Sequence, residues 1–142
     1  MRFWDSSALV PLVVEQRSSA ACRSLLRADA RVVAWAFAES EVLGALCRLR
    51  REGFLSAEGL PAAVLRLDRH GSRWTQVTAY DDVREEAARL LQTYPLTSAD
   101  ALQLGAALVA FERRPRRRGF VGLDGRLLDA ATGEGFEAIR PR

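Results

Sequence analysis

Residues 2–10 read RFWDSSALV, and the change of character inside this stretch decides the fold. Arg2 to Trp4 is a short β-type run that stops abruptly at Asp5. Ser6 or Ser7 can then cap a helix through Ala8–Glu15. Pro11 falls within the first turn of that helix or just beyond, where a missing N–H costs least.

The same alternation repeats along the chain. A second helix is expected over Ser18–Arg27, a buried strand over Val32–Trp35, and a longer helix over Ala38–Arg51 closed by Gly53. Ser56 opens a further helical stretch with Leu60, Val64 and Leu67 spaced for one face, and Trp74–Thr78 alternates as a third strand. Asp81 or Asp82 can cap a helix to about Leu91, and Thr97 or Ser98 one from Ala99 to about Phe111. Gly119–Leu123 reads as a fourth strand, Asp124-Gly125 opens a last short helix, and Phe136–Ile139 is a candidate fifth, edge strand. Strands alternating with helices imply a parallel sheet covered on both faces. The expectation is one α/β domain over residues 1–142, a three-layer α/β/α arrangement around a central parallel sheet of four or five strands.

Composition narrows the chemistry. There is no lysine, so all 21 basic residues are arginine, which excludes a P-loop GK[ST] motif, Schiff-base chemistry and a lysine base. His70 is the single histidine, placed before Gly71 as a helix-end residue, and it excludes an HExxH zinc site. Cys22 and Cys47 form no CxxC pair and read as small core residues. What remains for catalysis is Asp, Glu, Ser, Thr and Arg, and oxygen ligands of this kind suit Mg²⁺ or Mn²⁺. No apolar run reaches the ~20 residues a membrane helix needs, and Asp5 spoils the amino-terminal stretch as a signal peptide. A cytoplasmic protein is expected. Arg113, Arg114, Arg116, Arg117 and Arg118 crowd around Pro115, as either a solvated loop or a patch for RNA phosphates.

Functional groups in an open α/β sheet collect at the carboxyl ends of strands. Asp5 ends the first strand and Asp124 the fourth, so their carboxylates can meet if those strands are neighbours. Asp100 lies in a first helical turn, where an acid also serves the helix dipole. Glu41 borders an apolar stripe after the second strand, as a solvated rim residue or a partnered acid. Acids that converge repel one another and persist together only if a cation neutralises them.

The segments FWDSSALV (3–10), ESEVLGALCRLRREG (39–53), PLTSADALQLGAALVA (95–110) and FVGLDGRLLDAA (120–131) resemble, in order and spacing, the four motif blocks of PIN-domain ribonucleases. The resemblance is greatest to the toxin component of VapBC toxin–antitoxin pairs. It implies a PIN-like fold and a Mg²⁺- or Mn²⁺-dependent endoribonuclease restrained by an antitoxin protein, with a homodimer by analogy. Carried over by position, it implies that Asp5, Glu41, Asp100 and Asp124 are the catalytic and metal-holding acids and that Ser7 supports the first. Glu39 competes with Glu41, which the alignment of Val42-Leu43 and Ala45-Leu46 favours. Gly122 stands where the family often has threonine and Gly125 where many relatives carry another acid, which leaves fewer polar groups for a second ion.

The rival readings are an RNA- or partner-binding module of the same fold with weak or no activity, a phosphotransfer or receiver-like domain, and a dinucleotide-binding domain. The second lacks a DxD after the first strand and a late-strand lysine, and the third lacks GxGxxG after Trp4. Trp35, Trp74 and Tyr80 are candidates for base stacking, with core packing the competing role of both tryptophans.

Overall fold

The computed structural model describes residues 1–142. Its elements are β1 (Arg2–Trp4), α1 (Ser6–Val13), α2 (Ser19–Ala28), β2 (Val32–Trp35), α3 (Ala38–Arg51), α4 (Gly59–Gly71), β3 (Thr75–Val77), α5 (Tyr80–Thr93), α6 (Ser98–Ala110), β4 (Gly119–Val121), α7 (Gly125–Glu134) and β5 (Glu137–Ile139). The strands form one parallel five-stranded sheet in the order β3-β2-β1-β4-β5.

Side chains alternate across each strand, and two cores follow from that. Phe3, Val33, Trp35, Val77 and Phe120 face α5, α6 and α7. Trp4, Val32, Ala34 and Val121 face α1 to α4. Helices therefore cover both faces, and the three-layer α/β/α expectation holds with five strands. β1 pairs with β4 through Phe3↔Phe120 and Trp4↔Val121, so Asp5 and Gly122 leave the sheet side by side. The strand order turns outward in both directions from this pair, which makes the β1–β4 gap the switch point where ligands bind in such sheets.

Several boundaries differ from the sequence expectation, each for a local reason. Asp5 caps α1, ahead of the two serines: its extended backbone and Oδ2 acceptor serve the Ser7 N–H at 3.2 Å, and the helix starts at Ser6. Pro11 thus lies in the second turn and leaves the Ser7 carbonyl without a helical donor. Ser56 caps an approach turn through the Gly59 N–H, so α4 begins three residues later. Asp81 and Asp82 sit inside the first turn of α5, whose cap residue is Ala79. At α6 the expectation holds: of the two candidates Thr97 is the cap, its Oγ1 accepting from the Asp100 N–H.

Candidate metal centre

Four elements deliver one acid each to the carboxyl edge of the sheet. Asp5 ends β1 and is 3% exposed. Its Oδ2 accepts from the Ser7 N–H and from the Ser7 hydroxyl. The same hydroxyl oxygen accepts from the Leu123 N–H at 2.9 Å, tying the end of β1 to the residue before Asp124. Asp124 caps α7, accepting from the Leu127 N–H at 2.9 Å, and its side chain is exposed. Asp100 sits half-buried in the first turn of α6.

Glu41 comes from α3 and is held from two sides. Ser6 Oγ donates to its Oε2 at 3.2 Å and Gln103 Nε2 to its Oε1 at 2.8 Å. Neither partner was expected from the sequence. Gln103 does carry a signal, being a fully buried polar residue within the apolar run of α6 and one turn beyond Asp100. Glu39 points elsewhere: it accepts from Gln76 Nε2 at 3.0 Å and lies against Gly71 at the end of α4.

The acids perturb one another. Burial, with the nearby Glu41 and Asp100 charges, pushes Asp5 up to about 6 despite the Ser7 hydrogen bonds. Burial raises Glu41 too, with Asp100 adding to the effect against the Gln103 and Ser6 hydrogen bonds. Asp100 is raised by burial and by Asp124. None of the four acids takes part in an ion pair.

These donors suit a hard divalent cation. They are all oxygens, none is paired with a guanidinium, and the buried Gln103 Oε1 beside Glu41 is an acceptor with no donor. As the side chains stand, no three of them form a finished metal cage. The two glycines that bear on a second ion leave room for a side-chain carbon at ordinary contact distance. A Cβ at Gly122 would touch Asp5 Cβ at 3.6 Å, and one at Gly125 would face the Arg140 guanidinium at 3.6 Å.

Beside Glu41 a cleft of about 370 Å³ runs between α1 and α3, and Arg48 is the one cation lining it. The Arg113–Arg118 cluster lies elsewhere. It joins the end of α6 to the start of β4, at the edge of the sheet opposite Asp5 and Asp124. One helix, about 20 Å at 1.5 Å per residue, separates it from Asp100. Arg113 pairs with Glu86, and Arg118 lies 5.2 Å over the Phe111 ring. Trp35 and Trp74 are core residues, while Tyr80 and Phe37 are 47% and 51% exposed around the edge of Trp35. No helix is long and apolar enough to cross a membrane.

The fold is the PIN-like α/β/α fold. No protein-family model and no curated protein sequence matches the chain. Among solved structures it is similar to a toxin–antitoxin complex from Klebsiella pneumoniae, with a TM-score of 0.70 at 15% identity over 100% of this chain and 98% of that one. FitAcB from Neisseria gonorrhoeae aligns with a TM-score of 0.67 at 14% identity, covering 99% of this chain and 98% of that one. VapC20 from Mycobacterium tuberculosis, described as a sarcin–ricin-loop-cleaving toxin, aligns with a TM-score of 0.64 at 21% identity over 99% and 100%.

Proposed function

We propose that this protein is a Mg²⁺- or Mn²⁺-dependent endoribonuclease and the toxin of a type II toxin–antitoxin pair. The observation that carries the reading is the gathering of Asp5, Glu41, Asp100 and Asp124 from separate elements at the β1–β4 switch point, with none of them in an ion pair. The similarity to VapC20 and to toxin–antitoxin complexes supports the choice of substrate and partner.

Asp5, Asp100 and Asp124 would hold the ion, with Glu41 acting directly or through water. A bound divalent ion supplies polarisation of a phosphodiester oxygen and a lowered pKa for attacking water. The chain's own part begins with Ser7, which fixes the Asp5 carboxylate and holds the Asp124 segment against it. Ser6 and Gln103 fix Glu41, whose raised pKa suits a group that orients water or accepts its proton. Asp124 is exposed and Asp100 half-buried, so side-chain rotation at these two positions would be needed to bring the set around an ion. Arg48, in the cleft beside Glu41, would draw in an RNA phosphate.

The second reading, a PIN-like module that binds RNA or a partner with little or no cleavage, draws on the unfinished cage and the two glycines. One assay separates them. Purified protein is incubated with structured RNA in Mg²⁺, in Mn²⁺ and in EDTA, alongside Asp5→Asn. Cleavage that needs the divalent ion and vanishes in the variant supports the nuclease. RNA binding without cleavage in either ion selects the module.

A further inference from the structure

Helix α4 carries a second charged feature, of the opposite sign. A cavity of about 320 Å³ is lined by Arg66, Arg69, His70 and Arg73 and by no other residue. Arg66, Arg69 and His70 fall at helical spacings of three and four, which places them on one face. The chain turns after Gly71 with the Arg73 N–H donating to the His70 carbonyl at 3.0 Å, and that turn keeps Arg73 beside them. Arg66 is anchored by its Nε–H on the Val13 carbonyl at 2.6 Å, leaving its terminal N–H groups free.

No carboxylate lines the cavity, and none of the three guanidiniums is in an ion pair. Burial chiefly, and then the neighbouring Arg73 and Arg69 charges, hold the His70 imidazole below its usual range. The carboxyl end of a helix favours a cation or two, but it accounts poorly for four basic groups turned toward one space. Guanidinium forks match phosphate oxygens in pairs.

We infer that Arg66, Arg69, His70 and Arg73 form a phosphate-binding site that grips the backbone of a nucleic acid, separately from the carboxylates. The RNA-cleaving reading enters only in naming that nucleic acid as RNA. A protein segment is the poorer occupant, because the lining has no apolar residue on which a peptide could anchor. Phosphate contacts need no such anchor.

The test uses the wild-type chain in EDTA, binding labelled oligouridine across a salt series. Arg66→Gln/Arg69→Gln/Arg73→Gln should lower the slope of log K against log salt by about 2, at ~0.7 per phosphate contact. Arg69→Gln/Arg73→Gln, which spares the Arg66–Val13 bond, should lower it by about 1.4 on the same arithmetic. His70 is the only histidine, so its ring resonance reports the site alone, and it should shift with inorganic phosphate and with oligouridine. An unchanged slope in the folded double variant overturns the inference, as does a His70 shift with polyglutamate but not with oligouridine. Cleavage by wild type in Mg²⁺ is scored separately. The slope can fail while cleavage stands, or cleavage can fail while the slope changes, so the two readings fall independently.

Discussion

Glu86 and Asp5 are both buried carboxylates, at 8% and 3% exposure, but their neighbours are of opposite sign. Glu86 accepts from Arg89 Nη2 at 3.1 Å and from Arg113, and Arg89 goes on to Glu134, which also takes the Tyr94 hydroxyl at 2.8 Å. Burial pushes Glu134 up, but the Arg89 and Tyr94 hydrogen bonds outweigh it and leave the carboxyl below its usual range. At Asp5 burial acts together with Glu41 and Asp100, and the net shift is upward. Burial of an acid is thus common to both places. The missing counter-charge is what separates the proposed cation site from an ion network that ties α5 to α7 and to the turn after α6.

The largest expected difference is in activity. Asp5→Asn or Asp124→Asn should lower divalent-dependent RNA cleavage on the order of 10²- to 10⁴-fold, whereas Glu86→Gln should leave cleavage per folded molecule unchanged. Single-turnover rates, normalised to folded protein by circular dichroism, make the comparison. Equal losses at Asp5 and Glu86 would erase the distinction.

The next difference is in the sign of a stability change. Arg89→Ala removes the guanidinium that Glu86 and Glu134 share, and it should cost about 1–3 kcal/mol, the lower part of the range being favoured by the half-exposed Arg89 and the remaining Arg113 and Tyr94 partners. Asp5→Asn should do the reverse in metal-free buffer and stabilise by about 1–2 kcal/mol, since asparagine caps a helix as well as aspartate does. The sign follows from linkage. The folded-state pKa of Asp5 is raised to about 6, so its protonated form is the one that suits the fold. The wild type is unpenalised below the unfolded pKa of about 3.9 and loses stability as pH rises through the folded value. The gain from Asp5→Asn should therefore be absent at low pH and complete above about 7. Urea midpoints across this range check it, and a gain that does not depend on pH would point to packing alone.

The Asp5 side of this contrast was legible in the sequence, and the Glu86 network was not. The stop at Asp5, the strand into Asp124 and the alternation between them fixed the parallel sheet and placed two acids at one edge. Two features were misplaced or missed for physical reasons. Capping by Asp5 was hidden because serine and aspartate compete as caps, and only the extended backbone at Asp5 decides between them. The pairing of Glu41 with its supports was missed because Ser6 lies 35 and Gln103 62 positions away in the chain and both meet it only through packing, although Gln103 marks itself as a polar residue in the apolar run of α6. The arginine cluster is different, since its distance from Asp100 follows from the helix between them. Charge density suggested a solvated loop or a patch for RNA phosphates, and the length of α6 keeps that cluster away from Asp100.

The smallest effect is the sharpest test of how the second acid was chosen. Glu39 and Glu41 stand two residues apart on α3, about 200° around the helix, and so cannot serve one site together. Glu41 turns toward Ser6 and Gln103, while Glu39 turns toward Gln76 and Gly71 on the far side. Glu39→Gln keeps the shape and can still accept a hydrogen bond through its amide oxygen, so cleavage should stay within about twofold of wild type, the scale of a neutral surface substitution. Glu41→Gln keeps the shape as well, but it removes the charge that would sit beside the ion and should lower the rate well beyond that margin at constant fold. If the two variants exchanged behaviour, the cation would lie toward β3, and the β1–β4 switch point would lose its claim to the chemistry.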